Sequence, residues 1–416
     1  MQVENNMTED WVESFLEENI SEIAMGPFGS NLKREMFTKE GVPIIKGTNL
    51  SSMYVDGEFT FVSEEKATNL RKAVAYPNDI IITHRGTIGQ VSLVPQNKYD
   101  RYVTSQSQLR FSCDPKKLYY KYILYFLKSR IGQYELLKSS SQVGVPAIAT
   151  PTKSIKEIKL YLPPLPEQKA IAKVLTAFDD KIELLQAQNK TLETMAQTIF
   201  KEWFGKYQIG DELPEGWRVG RLKDLGNIIC GKTPSKADNE NFGGNIPFIK
   251  IPDMHNKMFI ITTTDSLTKK GVSLQKNKLI PKNSICVSCI ATVGLVSITS
   301  KDSQTNQQIN SIIPFNDSYK EFIYFKVKGL NKYLHDIGSG GTATLNVNTT
   351  SFSNIEIVIP DAKKLYSFSK ITNPIFKKVL DNDKQIQSLT KTRDTLLPKL
   401  MSGQVRVKNI KHTADA

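Results

Sequence analysis

The sequence predicts an α+β chain: two mixed α/β domains in a pseudo-two-fold internal repeat, separated by two long antiparallel coiled-coil spacer helices. Three observations predict it. A set of segments recurs in the same order about 200 residues later. Each half opens with a strand-rich stretch of short Ile, Val, Phe and Thr runs punctuated by Gly, Pro and Asn. Each half then closes with a run whose apolar residues alternate in steps of four and three, the spacing of a helical seam.

The repeat comes first. Trp11 opens one half and Gly216-Trp217 the other. Val42-Pro43-Ile44-Ile45-Lys46 matches Ile246-Pro247-Phe248-Ile249-Lys250, and Pro77-Asn78-Asp79-Ile80-Ile81-Ile82 matches Pro281-Lys282-Asn283-Ser284-Ile285-Cys286. Thr87-Ile88-Gly89 matches Thr292-Val293-Gly294. Ile155, Ile158, Leu160, Leu162 and Pro163 match Phe352, Ile355, Ile357, Ile359 and Pro360. A period this long is a domain duplication, since solenoid repeats run to roughly 20–50 residues. The expected boundaries are a first domain over 1–161, a first spacer over 162–206, a second domain over 207–359, a second spacer over 360–407, and a disordered tail over 408–416.

Within the first domain, Ile80-Ile81-Ile82-Thr83 reads as a buried strand, and Ile285-Cys286-Val287-Ser288 is its counterpart. Tyr120, Leu124, Leu127, Ile131 and Tyr134 keep helical spacing and predict one helix over 118–137, with 319–333 as its equivalent. In the first spacer the seam is Ile171, Leu175, Phe178, Ile182, Leu185, Asn189, Leu192, Ala196, Ile199 and Trp203. Asn189 is the polar core position, a device that fixes register. Pro163, Pro164 and Pro166 bar an earlier start and Gly205 follows the end. A helix of about 33 residues spans about 50 Å and would hold the two domains apart. The second spacer keeps the alternation less regularly through Ile375, Val379, Ile386, Leu389, Leu396 and Leu400. Pro374 predicts that this helix begins in earnest there, and Pro398 that it kinks or stops near its end.

Composition narrows the class. An apolar content of 39% spread along the chain argues against intrinsic disorder. The first twenty residues carry six acidic residues and no Lys or Arg, so they lack the basic opening of a signal peptide. No apolar stretch reaches the ~18 residues of a membrane span. Cys113, Cys230, Cys286 and Cys289 are scattered, as in a reducing cytoplasm, where the chain is expected to reside. The Cys286–Cys289 pair lacks a second ligand pair and reads as buried strand cysteines, so no metal is expected. A net charge of +13 favours an anionic partner, nucleic acid or a membrane surface, and without a spanning stretch no membrane partner is expected. Much of the excess lies in the second spacer, where lysines 363, 364, 370, 377, 378, 384, 391 and 399 outnumber the acids.

Catalytic signatures are missing. Gly226-Asn227-Ile228-Ile229-Cys230-Gly231-Lys232-Thr233 fits the P-loop pattern literally, which makes a P-loop nucleotide hydrolase using Gly231-Lys232-Thr233 the alternative function. However, Pro234-Ser235-Lys236 follows instead of an amphipathic helix. His84, His255, His335 and His412 do not recur between the halves, as duplicated catalytic residues would. The polar loops suit nucleic acid better. Asn and Gln can contact adenine edges and Arg guanine, while Lys, Ser and Thr suit phosphates. The candidate DNA-binding residues of the first half are Lys46, Thr83, His84, Arg85, Thr87, Gln106, Gln108, Arg110 and Gln142. Those of the second are Lys232, Thr233, Lys250, Ser288, Thr292, Asn306, Gln307, Gln308, Thr342 and Thr344.

Four further marks carry a family resemblance over essentially the whole chain. They are Leu162-Pro163-Pro164-Leu165-Pro166-Glu167-Gln168 before the first helix and Phe200-Lys201-Glu202-Trp203-Phe204 at its end. Leu213-Pro214-Glu215-Gly216-Trp217 opens the second half, and Leu396-Leu397-Pro398-Lys399-Leu400-Met401-Ser402-Gly403 lies near the C-terminus. With these, the chain resembles the specificity subunit of a type I restriction–modification enzyme. Pro360-Asp361-Ala362-Lys363-Lys364 departs from the family's Leu-Pro-Glu-Gln pattern, and Met7-Thr8-Glu9-Asp10-Trp11 is similar to its typical start, which leaves 1–6 as an extension.

The resemblance implies two target-recognition domains, each reading one half of a split double-stranded DNA target. It implies spacers that set the gap and dock two methyltransferase subunits, and a chain without catalysis of its own. S-adenosylmethionine would be bound by those methyltransferase subunits, which methylate adenine N6. ATP and Mg would belong to restriction subunits. A coiled-coil scaffold that binds no DNA is the remaining alternative.

Overall fold

The computed structural model describes residues 10–141, 144–235, 237–339 and 345–407. Two compact units emerge: residues 1–180 with 390–416, and residues 181–389. Each contains one strand-rich domain and a stretch of both long helices.

In the first unit the central sheet runs in the order Ile20–Met25, Gln108–Cys113, Ile80–Thr83, Val91–Leu93, all antiparallel. Both faces are covered, which is why Ile80–Thr83 is apolar without alternation. Ile80, Ile82, Leu109 and Phe111 pack against a helical layer with Tyr122, Leu124 and Leu127. Ile81, on the other face, meets Ile45, Ala75 and Tyr102 of a second, five-stranded sheet. Strands Val12–Phe15 and Lys159–Leu162 pair antiparallel and bring the chain to the spacer.

The second unit repeats this plan. Its central sheet orders Gly226–Cys230, Ile309–Pro314, Ile285–Ser288, Val296–Thr299 and Phe259–Ile260. Arg218–Arg221 pairs with Glu356–Ile359 where the first unit pairs Val12–Phe15 with Lys159–Leu162. The amide of Leu222 donates to Ile355 O at 3.1 Å, as that of Leu16 does to Ile158 O at 2.9 Å. The Cys286 thiol within strand Ile285–Ser288 and the Cys289 thiol just after it are buried, and burial pushes them up to about 12 and about 11.

Three sequence expectations are corrected. The helix expected over 118–137 is two helices, Tyr120–Lys128 and Arg130–Leu137, and its counterpart is Lys320–Gly329 and Asn331–Gly338. Ser129 ends the first and caps the second, its Oγ accepting the Gly132 amide at 3.2 Å. The first long helix spans Leu165–Phe204, 40 residues, because Pro166 sits in the first turn, where no N–H is required. The second spans Ala362–Met401, also 40 residues, and runs through both Pro374 and Pro398. Asp361 starts it by accepting the Lys364 amide at 2.9 Å. Proline in a helix costs about 3 kcal/mol. Burial of Leu365, Phe368, Phe376 and Val379, at about 1.5–3 kcal/mol each, outweighs it, and the Pro374 ring faces solvent.

The helices run antiparallel. In the first unit Asp179 accepts from Arg393 at 2.5 Å, and Glu167 takes both arms of Arg406 at 2.6 and 2.7 Å. In the second, Asn189 bonds Asn382 and Asp383 at 2.8 and 2.7 Å, and the Trp203 ring stacks 6.0 Å from Phe368.

Candidate nucleic-acid interface

The strand order gathers one set of loops at one end of each central sheet. In the first unit, Ile20–Met25 and Ile80–Thr83 end there and Gln108–Cys113 and Val91–Leu93 begin there. The segments 26–33, 84–90 and 105–107 are therefore neighbours. Main-chain bonds fasten them. Gly26 N donates to Gln108 O at 2.8 Å and His84 N to Ser107 O at 2.9 Å. Ile148 N donates to His84 O at 2.9 Å and Gly86 N to Pro146 O at 2.8 Å. The second unit has the same bonds at equivalent positions. Gly231 N reaches Ile309 O (3.1 Å), Cys289 N reaches Gln308 O (2.8 Å), Val347 N reaches Cys289 O (2.8 Å) and Ala291 N reaches Leu345 O (3.0 Å). Left-handed Gly89 (φ 85°) and Gly294 (φ 90°) make the same turn before the returning strand.

On this shared frame the candidate residues separate into three groups. Arg85, Thr87 and Gln106 are exposed in the first unit, as are Lys232, Thr292 and Gln307 in the second. Lys46, Thr233, Lys250 and Gln308 are half-buried and tethered. Lys46 Nζ donates to Thr60 Oγ1 at 2.6 Å, and Lys250 Nζ pairs with Asp265 at 2.6 Å. Thr233 Oγ1 donates to Gln307 Oε1 at 2.7 Å, and Gln308 Oε1 accepts from Asn306 at 2.8 Å.

The third group lies inside. Thr83, His84, Gln108, Arg110, Ser288 and Asn306 are all buried. Thr83 Oγ1 donates to Gln90 Oε1 at 3.0 Å, and Gln108 bonds Ser105 and Thr83. Ser288 Oγ accepts the Leu295 amide at 2.9 Å. Burial pushes the His84 imidazole below its usual value, although its Nε2 lies 3.2 Å from Gln106 O. Arg110 is the plainest departure from the sequence reading. It is 1% exposed, pairs with Glu22 at 2.6 Å and Asp79 at 3.5 Å, and donates to Lys72 O at 3.2 Å. It therefore holds strands together and is not presented to a ligand. Gln142, Thr342, Thr344 and the tail over 408–416 lie outside the described residues.

The P-loop alternative does not survive. Gly226–Cys230 is a strand, and 231–235 is an irregular loop whose Lys232 amide donates to Thr305 O at 2.9 Å. The next helical element among the described residues is a single 3-10 turn, Asn239–Asn241, so no helix N-terminus faces a phosphate there.

Of the spacer seam, Ile171, Leu175, Ile182, Leu185, Val379 and Leu400 are buried. Phe178, Asn189, Leu192, Ile199, Trp203, Ile375, Ile386, Leu389 and Leu396 are half-buried. Burial lifts the Asp383 carboxyl to about 6, against the Asn189 hydrogen bond, and nearby Glu193 adds to the rise.

Sequence reasoning missed several residues that build the interface. Gln133 Nε2 holds the turn at Gly89 O (3.0 Å), and Asn331 does so at Gly294 O (3.3 Å). Gln168, the last residue of the proline-rich mark, is 1% exposed. It accepts the Tyr119 amide at 2.9 Å and donates to Lys117 O and Pro163 O, both at 3.0 Å. Phe28, by contrast, is 80% exposed, next in the chain to Gly29, which faces the Gln106 side chain.

Comparison with known proteins agrees with this duplication. The family described as a type I restriction modification DNA specificity domain matches residues 8–194 and again 214–391. The type I restriction enzyme HindI specificity subunit of Haemophilus influenzae is 41% identical over 321 residues, 61% of this chain and 70% of the relative. The MjaIX specificity subunit of Methanocaldococcus jannaschii is 26% identical over 425 positions, 94% of this chain and 93% of the relative. Among solved structures, a type I restriction–modification S subunit from M. genitalium shares the fold. Its TM-score is 0.63 at 19% identity, covering 96% of this chain and 98% of that one.

Proposed function

The chain belongs to the family of type I restriction–modification specificity subunits, and we propose that its two domains read the two halves of one bipartite DNA target. It is a non-catalytic component whose task is recognition. The observation that carries the reading is the loop frame: one pattern of main-chain bonds occurs in both units, displaying Arg85, Thr87 and Gln106 in one and Lys232, Thr292 and Gln307 in the other. Thr87 and Thr292 and Gln106 and Gln307 recur at equivalent places, while Arg85 stands opposite Ile290 and Lys232 opposite Pro27, so one frame can serve two half-sites of different sequence. Basic side chains supply salt-sensitive affinity, and a wrong base in either half costs roughly 1–3 kcal/mol.

The long helices set the gap between half-sites and dock two methyltransferase subunits. Those subunits bind S-adenosylmethionine, flip the target adenine out of the stack and methylate its N6 amine; extrusion is needed to reach a base within a duplex. Restriction subunits bring ATP and Mg. The test is co-expression with the methyltransferase partner and genome-wide sequencing of methylated adenine. A bipartite motif with a fixed gap is expected, and a continuous short motif overturns the reading. Transplanting residues 1–161 onto another specificity subunit should move one half-motif and leave the other.

A further inference from the structure

Phe28 is the most exposed of the large apolar side chains among the described residues, at 80%. Exposure of one apolar residue is ordinary. The support beneath this one is not. Gly26 is pinned by its amide to Gln108 O, and a Cβ there would lie 1.9 Å from Ser105 O. A Cβ on Gly29 would lie 2.6 Å from Gln106 Oε1. Phe28 itself caps the 3-10 turn Gly29–Asn31, its carbonyl accepting the Asn31 amide at 2.8 Å. Gly26 thus brings the loop hard against the backbone of Ser105, Gly29 leaves room for the Gln106 side chain, and the Phe28 ring stands outside. The second unit occupies the equivalent place with Thr233, whose hydroxyl bonds Gln307. One half carries an exposed apolar ring at this place; the other carries a half-buried hydroxyl bonded to its glutamine.

Resting on the DNA-reading function proposed above, we infer that Phe28 is a specificity residue of the first half-site, its ring covering the 5-methyl group of a thymine. That methyl is the one apolar feature among base edges, and side chains such as Phe recognise it by contact. The residue stands on the same loop frame as Gln106 and Arg85, so ring and polar groups meet the same base pairs.

The experiment uses the full chain assembled with its methyltransferase subunits and duplexes carrying its methylated target. Uracil replaces thymine at each position in turn, which removes only the methyl group. Phe28→Ala should leave the unfolding midpoint and binding to scrambled DNA unchanged, and weaken cognate binding at least fivefold. One uracil in the first half-site should weaken the wild-type complex several-fold and the variant not at all. Uracils in the second half-site should act equally on both, and Phe28→Leu should recover part of the loss. Equal uracil profiles for the two proteins, a first half-site without thymine, or enhanced 2-aminopurine fluorescence at a first-half step with no uracil effect overturns the inference. A wild-type complex that does not prefer cognate over scrambled DNA overturns the underlying DNA reading instead.

Discussion

In the first domain the strand Ile80–Thr83 runs into a loop at His84, whose amide and carbonyl are both taken by neighbouring loops at 2.9 Å. In the second, Cys289 stands in that place with both groups taken at 2.8 Å. The backbone is the same and the side chains are not. Beneath the loops the contrast continues. The first central strand carries a buried Arg110 paired with Asp79, while the matching strand carries Ser311 beside Cys286 at 3.7 Å. Duplicated domains therefore diverge in two separable layers. The displayed residues can change without touching the frame, as exposed Arg85 opposite Ile290 shows, whereas the buried residues differ because each core solved its own packing problem.

That separation can be broken by mutation. The largest effect is expected at Arg110. Arg110→Ala leaves Asp79, itself 6% exposed, with Ser112 and the Tyr76 amide but no cation, and should cost about 3 kcal/mol in denaturant unfolding. Ser311→Ala, its positional counterpart, should cost less than about 1 kcal/mol. Equal costs would show that the two cores do not differ as described. Next comes Gly26→Val, whose side chain meets Ser105 O, and Gly231→Val, whose Cβ would lie 2.2 Å from Asn306 O. Each should cost about 1–3 kcal/mol, and each should weaken binding to its own half-site only.

Asp383 comes third. Burial lifts its folded carboxyl to about 6 from an ordinary value of 3.8, so between those values the folded state binds more protons than the unfolded one. Stability is then highest below pH 4 for this group and falls as pH rises from about 4 to 6. Asp383→Asn should flatten that slope and add about 1 kcal/mol at pH 7.5, after allowing for residual solvent around the group. An unchanged pH profile would remove Asp383 as its source. The smallest stability effects belong to the displayed layer. Arg85→Ala and Thr292→Ala should stay within about 0.5 kcal/mol of wild type, while each weakens binding to a different half-site in a gel-shift titration.

The sequence carried the duplication, the buried strands and the helical seams, because periodicity and repeated anchors are local signals. It did not separate displayed from buried polar residues. Arg110 sits two residues from a loop glutamine and reads as a ligand contact. Only the second sheet, which covers the face opposite Leu109 and Phe111, makes it interior. Phe28 was passed over for the opposite reason, since an aromatic between Pro27 and Gly29 carries no periodicity. Gln168 gave a recognisable mark but no role until Tyr119 and Lys117, about 50 residues away, were seen to fold against it. The second long helix overrode Pro374 because its buried partners lie far along the chain, where propensity has no information.

The two compact units are threaded differently along the chain. The second unit is one continuous stretch, 181–389, whereas the first joins segments on either side of it. Asp179 finds Arg393 across 214 residues, and Glu167 finds Arg406 across 239. During synthesis the first domain therefore emerges early yet cannot complete its helical base until Arg393 and Arg406 have left the ribosome. The domain made second has all its segments sooner. Closing such long loops slows folding more than it lowers final stability. The order of maturation should run against the order of translation, with the N-terminal half held longest in a partly assembled state.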